Sequence, residues 1–235
     1  VFKNFLFFCM KILVIAPHAD DETLGMGGTI AQKREEGHEV IVAIMTGHGE
    51  DEHPIWSPNK WDLIRREAKK AVEILDVSKL IFRELPAACL DHIPTWKINK
   101  EVNDLIQDIK PTEIYIPFFY DLHKDHNALS YAALVAARPY LNSSKSIKRI
   151  LAYETLSETH LMVANSSQSF QPNVFVNISN TLDKKLNALK QYKSQLHSNL
   201  QPRSIDSIKA LAKLRGSHIG CDAAEAFLLI GEYIR

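Results

Sequence analysis

The chain has 235 residues, enough for one sizeable domain with its own core. Lys plus Arg and Asp plus Glu both total 28, so the formal charge is zero. This speaks against a nucleic-acid footprint or a membrane-binding basic patch and for a small, neutral or modestly charged substrate.

The apolar opening "VFKNFLFFCM" resembles a signal peptide, but only about ten residues precede the first strand-like run, with no small-residue cleavage site, and a spanning helix needs roughly 20 apolar residues. Met10 then reads as the start, with residues 1–9 an upstream extension and no membrane insertion. Residues 11–16, "KILVIA", predict a strand, and 23–36 a helix that stops at Gly37. A second strand is expected over 39–46. Residues 59–77 predict a helix from Leu63, Ala68, Ala71, Ile74 and Leu75, followed by a strand over 79–85. A helix near 95–109, a strand over 113–119, a helix over 127–140 and strands over 147–154 and 173–179 follow, and the last third reads as mostly helical. Near-continuous apolar strands alternating with helices predict a mainly parallel sheet covered on both faces: a Rossmann-like, three-layer α/β/α sandwich forming a single domain over 1–235. Ligands of such sheets bind at the carboxyl ends of the strands. Three scattered cysteines, Cys9, Cys89 and Cys221, form neither a disulfide framework nor a metal knuckle, so a reducing, cytoplasmic setting is the default.

Two polar clusters follow two of these strands. "PHADDE" (17–22) places His18, Asp20, Asp21 and Glu22 just after the first strand and before a helix. One acid there could cap the helix, but a cap explains neither the histidine nor two adjacent aspartates. "DLHKDH" (121–126) follows the run "EIYIPFF", so the two clusters can meet in space, and the spacing of His123 and His126 lets both face one side of a helical turn. Histidine with carboxylate, leaving one position open to water, is the pattern of a catalytic zinc site. "GMGG" (25–28) does not match GxGxxG and starts nine residues after the strand, so it reads as close packing rather than a phosphate cradle. The polar loop 47–58, with Trp56, is the candidate for substrate selection, and His48 and His53 are not counted as ligands.

"PHADDETLGMGGTIA", "HKDH" and "RGSHIGCDAAEAF" (215–227), with the weaker "KKLNALKQYKSQ" (184–195), resemble the PIG-L/LmbE-like family of zinc-dependent N-acetylglucosaminyl deacetylases over nearly the whole chain. The resemblance implies that His18, Asp21 and His126 hold Zn²⁺, and that Asp20 is the general base. It implies that His123 stabilises the oxyanion or protonates the leaving amine, and that Asp125 orients His123. Fe²⁺ suits the same donors. Where many relatives carry a substrate-contacting arginine this chain has Ile64, so Arg65 and Arg66 are the candidates, with Trp56 and His218 as further substrate contacts. Tyr120 and Asp121 replace a catalytic tyrosine of some relatives, and Tyr120 is given no role. The reading is therefore an enzyme that removes acetate from a small N-acetylglucosamine-type substrate. A zinc amidase of larger acyl or thiol-conjugate amides is the alternative enzyme, and a non-catalytic sugar-binding module is the alternative class. Homo-oligomers as well as monomers occur in the resembled family, which leaves the oligomeric state open.

Overall fold

The computed structural model describes residues 9–49, 53–162, 168–198 and 200–234. The apolar start and residues 50–52 of the expected selection loop lie outside them. Strands β1 (Lys11–Ala16), β2 (Glu39–Gly47), β3 (Lys79–Pro86), β4 (Glu113–Pro117) and β5 (Arg149–Tyr153) alternate with helices α1 (Asp21–Glu35), α2 (Pro58–Ile74), α3 (Thr95–Ile109) and α4 (Lys124–Ala136). Then come β6 (Val174–Asn177), α5 (Leu182–Leu189), α6 (Ile205–Ser217) and β7 (Ala224–Glu232). The sheet order is β3-β2-β1-β4-β5-β7-β6. The first five strands are parallel, and β7 runs antiparallel between β5 and β6.

Alternation along β1 explains the layers. Leu13 and Ile15 join Ile98, Val102 and Ile106 of α3 and Leu129 of α4 in one core, whereas Ile12, Val14 and Ala16 join Met26 and Ile30 of α1 and Ala68 and Ala71 of α2 in the other. The expected three-layer arrangement with a mainly parallel sheet is the one observed. Two details differ. Leu63 is exposed and its neighbour Ile64 is buried in its place, while Ala68 and Ala71 of α2, and Leu75 at its end, are buried as expected. The last third also contains β7, whose "AEAFLLIGE" is rich in residues with good intrinsic helix propensity. Pairing with β5 and β6 on both edges overrides that preference.

"GMGG" serves close packing, as expected. A Cβ on Gly25 would overlap the buried Tyr153 ring, and one on Gly28 would lie 2.7 Å from Ile178 Cδ1. Tyr153 is held in turn by its hydroxyl, which donates to Ile15 O at 3.0 Å. Gly25→Ala is therefore expected to destabilise the protein by about 1–3 kcal/mol through overpacking, read as a lower urea midpoint at unchanged slope.

Candidate active site

The strand order reverses at β1: β2 and β3 lie on one side, β4 and β5 on the other. Ligand crevices in open α/β sheets form at such a switch point. Both polar clusters emerge there, one after β1 and one after β4.

Asp20 occupies the N-cap position of α1 but makes no capping hydrogen bond through its side chain, so helix capping does not account for this acid. Its φ of 132° is a strained backbone conformation for a residue with a side chain, as found at functional sites. Asp21 is fully buried, and its Oδ2 accepts from His18 N at 2.9 Å. The same oxygen lies 3.3 Å from His18 Nδ1 and 3.2 Å from His126 Nε2. Donor atoms of His18, Asp21 and His126 all fall within 4.8 Å of one another, as do those of His18, His123 and Asp125. Each imidazole of the first group is held from behind: His126 Nδ1 by Asp121 Oδ2 at 2.8 Å, His18 Nε2 by Asp125 Oδ2 at 2.9 Å.

Asp125 therefore does not do what was expected of it. Its carboxylate contacts His18, and also accepts from Ala88 N at 2.6 Å and Leu90 N at 3.2 Å. His123 is the N-cap of α4 and meets only the backbone of Asp125, whose N–H donates to His123 Nδ1 at 3.1 Å. The two side chains stay close, with donor atoms within 4.8 Å, but the carboxylate directs its hydrogen bonds to His18 and to the backbone that follows β3.

Burial opposes charge on the imidazoles, yet Asp125 and Asp21 raise His18 to about 9, and Asp21 and Asp121 raise His126 to about 10. Burial pushes Asp21 up, but the two imidazoles prevail and hold it well below the usual carboxylate range. Burial pushes Asp20 up to about 7, against the pull of Arg203, with Asp21 and Glu22 adding to the rise. Burial, assisted by His18, lowers His123. His126 Nε2, Asp21 Oδ1 and Asp20 Oδ1 are buried polar atoms with no hydrogen-bond partner. Orphaned donors of this kind, in a His₂Asp set, fit a divalent cation.

A cleft of about 250 Å³ opens beside this centre. His18, His123 and Arg203 line its polar end, and Trp56, Trp61, Ile64 and Phe82 supply apolar walls. Trp56 and Arg65, two of the expected substrate contacts, line this cleft. Arg65 pairs with Glu84 and lies against the Phe82 ring. Arg66 is exposed and does not line the cleft. His218 is a correction: it caps the end of α6, exposed, and does not line the cleft, because its ring lies 5.3 Å from Phe175 on the edge strand β6. His53, which could have been a surface residue, is buried; it bonds Ala87 O and accepts from the N–H groups of Ile55 and Trp56. Sequence reasoning missed Arg203, which donates to Asp20 Oδ2 at 3.2 Å and to Glu158 at 3.1 Å from the turn before α6, where no motif marks it. It also gave no role to Asp121, although that residue opens the same "DLHKDH" cluster.

The PIG-L family model, described as GlcNAc-PI de-N-acetylase, matches residues 13–137, more than half of the chain and all of both clusters. The chain belongs to the PIG-L family. Among PIG-L relatives, the diacetylchitobiose deacetylase of Thermococcus kodakarensis is 26% identical over 230 residues, 94% of this chain and 83% of the relative. An uncharacterized deacetylase of Escherichia coli K12, YaiS, is 30% identical over 189 residues, 78% of this chain and 90% of the relative. The crystal structure of N,N'-diacetylchitobiose deacetylase from Pyrococcus horikoshii superposes with a TM-score of 0.74 at 23% identity, covering 95% of this chain and 84% of that one, a likeness of fold. β5, β6, α5, α6 and β7 lie beyond the matched PIG-L segment.

Proposed function

We propose that this chain is a zinc-dependent hydrolase that removes the acetyl group from an N-acetylglucosamine-type amide, with His18, Asp21 and His126 as the metal ligands. The observation that carries the reading is the meeting of these three donors, with Asp20 and His123 beside them, at the switch point of the sheet. The names of the PIG-L relatives agree with it. When bound, zinc supplies Lewis acidity, polarising the acyl oxygen and making water acidic enough to ionise near neutral pH.

The chain's own residues supply the rest. Asp20 takes the proton of the attacking water and passes it to the departing amine: Arg203 engages its Oδ2 and leaves Oδ1 without a partner. His123 acts as an oxyanion donor rather than an acid. Its Nδ1 accepts a backbone N–H, which fixes the neutral ring with its hydrogen on Nε2, and its lowered pKa favours that neutral form. Trp56 and Trp61 offer ring faces to a sugar, and Arg65 is the charged substrate contact on that wall. The apolar lining from Ile44, Ile64 and Phe82 also suits the second reading, a larger acyl group. Incubating the zinc-loaded protein with N-acetylglucosamine derivatives and with longer N-acyl analogues separates the two: acetate release supports the first, a larger acid the second, and neither acid refutes both. Iron-loaded protein run in parallel reports on the metal.

Asp121→Asn and Asp125→Asn should each weaken metal binding by about 10–100-fold, because each carboxylate holds one ligating imidazole. A zinc titration of both variants checks this. Native affinity in Asp125→Asn would return that residue to His123.

A further inference from the structure

α1 is not one continuous helix. Met26, at φ −150° and ψ 24°, interrupts it after a single turn, so the turn that carries Asp21 is separated from the longer helix that follows. The interruption strands backbone groups in buried surroundings: the carbonyl of Leu24 on one side, the amides of Gly28 and Thr29 on the other. Two side chains from far along the sequence satisfy them. Glu225 on β7 accepts from Gly28 N at 3.0 Å and Thr29 N at 2.7 Å. Lys185 on α5 donates to Leu24 O at 2.8 Å and pairs with Glu225 at 2.6 Å. Thr181 Oγ1 adds a bond to Gly28 O at 2.8 Å. The signs match the helix ends: the carboxylate caps the amino end of the second piece, the ammonium the carboxyl end of the first.

We infer that the buried Lys185–Glu225 pair is a positioning device for the metal-ligand turn, splicing a deliberately broken helix so that Asp21 stays within reach of both His18 and His126. An unbroken helix would satisfy the same backbone groups by itself, and a buried ion pair is a poor source of net stability. What the pair supplies is placement: Asp21 Oδ2 sits 3.3 Å and 3.2 Å from the two imidazoles, a geometry that shifts of half an ångström would spoil. The splice also gives a purpose to two stretches outside the catalytic clusters, "KKLNALKQYKSQ" and "AEAF", which contain Lys185 and Glu225.

The test compares Lys185→Met and Glu225→Gln with the double variant. Each single change strands a buried charge and should lower the melting temperature. The double variant strands none and should recover most of that loss, yet leave the first turn loosely held. In metal-free double variant, amide hydrogen exchange at Thr23 and Leu24 should then be at least tenfold faster than in the native chain, and zinc affinity about 10–100-fold weaker. The exchange measurement needs neither metal nor substrate, so it separates failure of this inference from failure of the proposed function. Native exchange rates and native zinc affinity in the double variant would overturn the positioning role. Should that variant not fold, Thr181→Val, which loosens the splice without stranding a charge, must show the same two shifts in smaller measure, and native values there overturn it equally.

Discussion

Asp20→Asn is expected to keep near-native zinc content and fold while losing roughly 10²–10⁴-fold in kcat, whereas Asp21→Asn should lose zinc first and activity as a consequence. The two residues are adjacent and both buried, but their surroundings differ. Asp21 Oδ2 faces two imidazoles, and its charge is held well below the usual carboxylate range by them, as a ligand's must be. Asp20 faces Arg203, has one oxygen without a partner and is pushed up to about 7 by burial, which suits a group that exchanges a proton near neutrality. Asparagine is nearly isosteric with aspartate and cannot act as a carboxylate base, so the base is lost and the shape retained. Zinc stoichiometry and kcat, each with and without excess zinc, discriminate the roles: added zinc should restore part of the activity of Asp21→Asn and none of Asp20→Asn. The reverse pattern would exchange the two assignments, and full activity in both variants would end the mechanism.

Zinc affinity should rise by about two decades per pH unit between pH 7 and 8.5, and uptake at pH 7 should release close to two protons. His18 and His126 bind metal only as neutral rings, yet in the metal-free site the neighbouring carboxylates outweigh burial and raise them to about 9 and about 10. Calorimetry in buffers of different ionisation enthalpy counts the protons, and a count near zero would remove these imidazoles from the ligand set. The same shifts set the stability of the metal-free protein. Both folded-state values lie above the ordinary 6.5, so the folded state binds protons more tightly than the unfolded one. That contribution is complete below about pH 6.5 and is lost as pH rises through 9 to 10. Asp20, also raised, adds a loss of the same sign between about pH 4 and 7. The melting temperature without metal should therefore fall with rising pH across this range, and the zinc-loaded protein should show the fall far less.

The order and kind of the first elements were legible in the sequence because the inner parallel strands β1, β2, β4 and β5 are buried on both faces and read as near-continuous apolar runs, while the edge strand β3 is only partly buried; β1 and α3 fall on the expected residues. The two chemical clusters were legible for the same reason, since each follows such a run: Asp20 makes no capping bond, and although His123 caps α4, a cap leaves Asp121, Asp125 and His126 unexplained. Pairing of side chains was not. That Asp125 serves His18 rather than His123 follows from where two helix starts face each other across adjacent strands, which local spacing does not encode; Asp121 backs His126 from five residues away within one cluster, a local contact that was overlooked. Arg203 reaches Asp20 across 183 positions of chain, and Glu225 reaches the break in α1 across 197. β7 was missed because its alanines, leucines and glutamates carry helical preference, and only the two flanking strands make it a strand. Sequence alone thus determined which groups come to the carboxyl edge of the sheet, because burial and period are local properties. Tertiary structure alone decided which group faces which, because contacts between distant segments depend on how the layers pack.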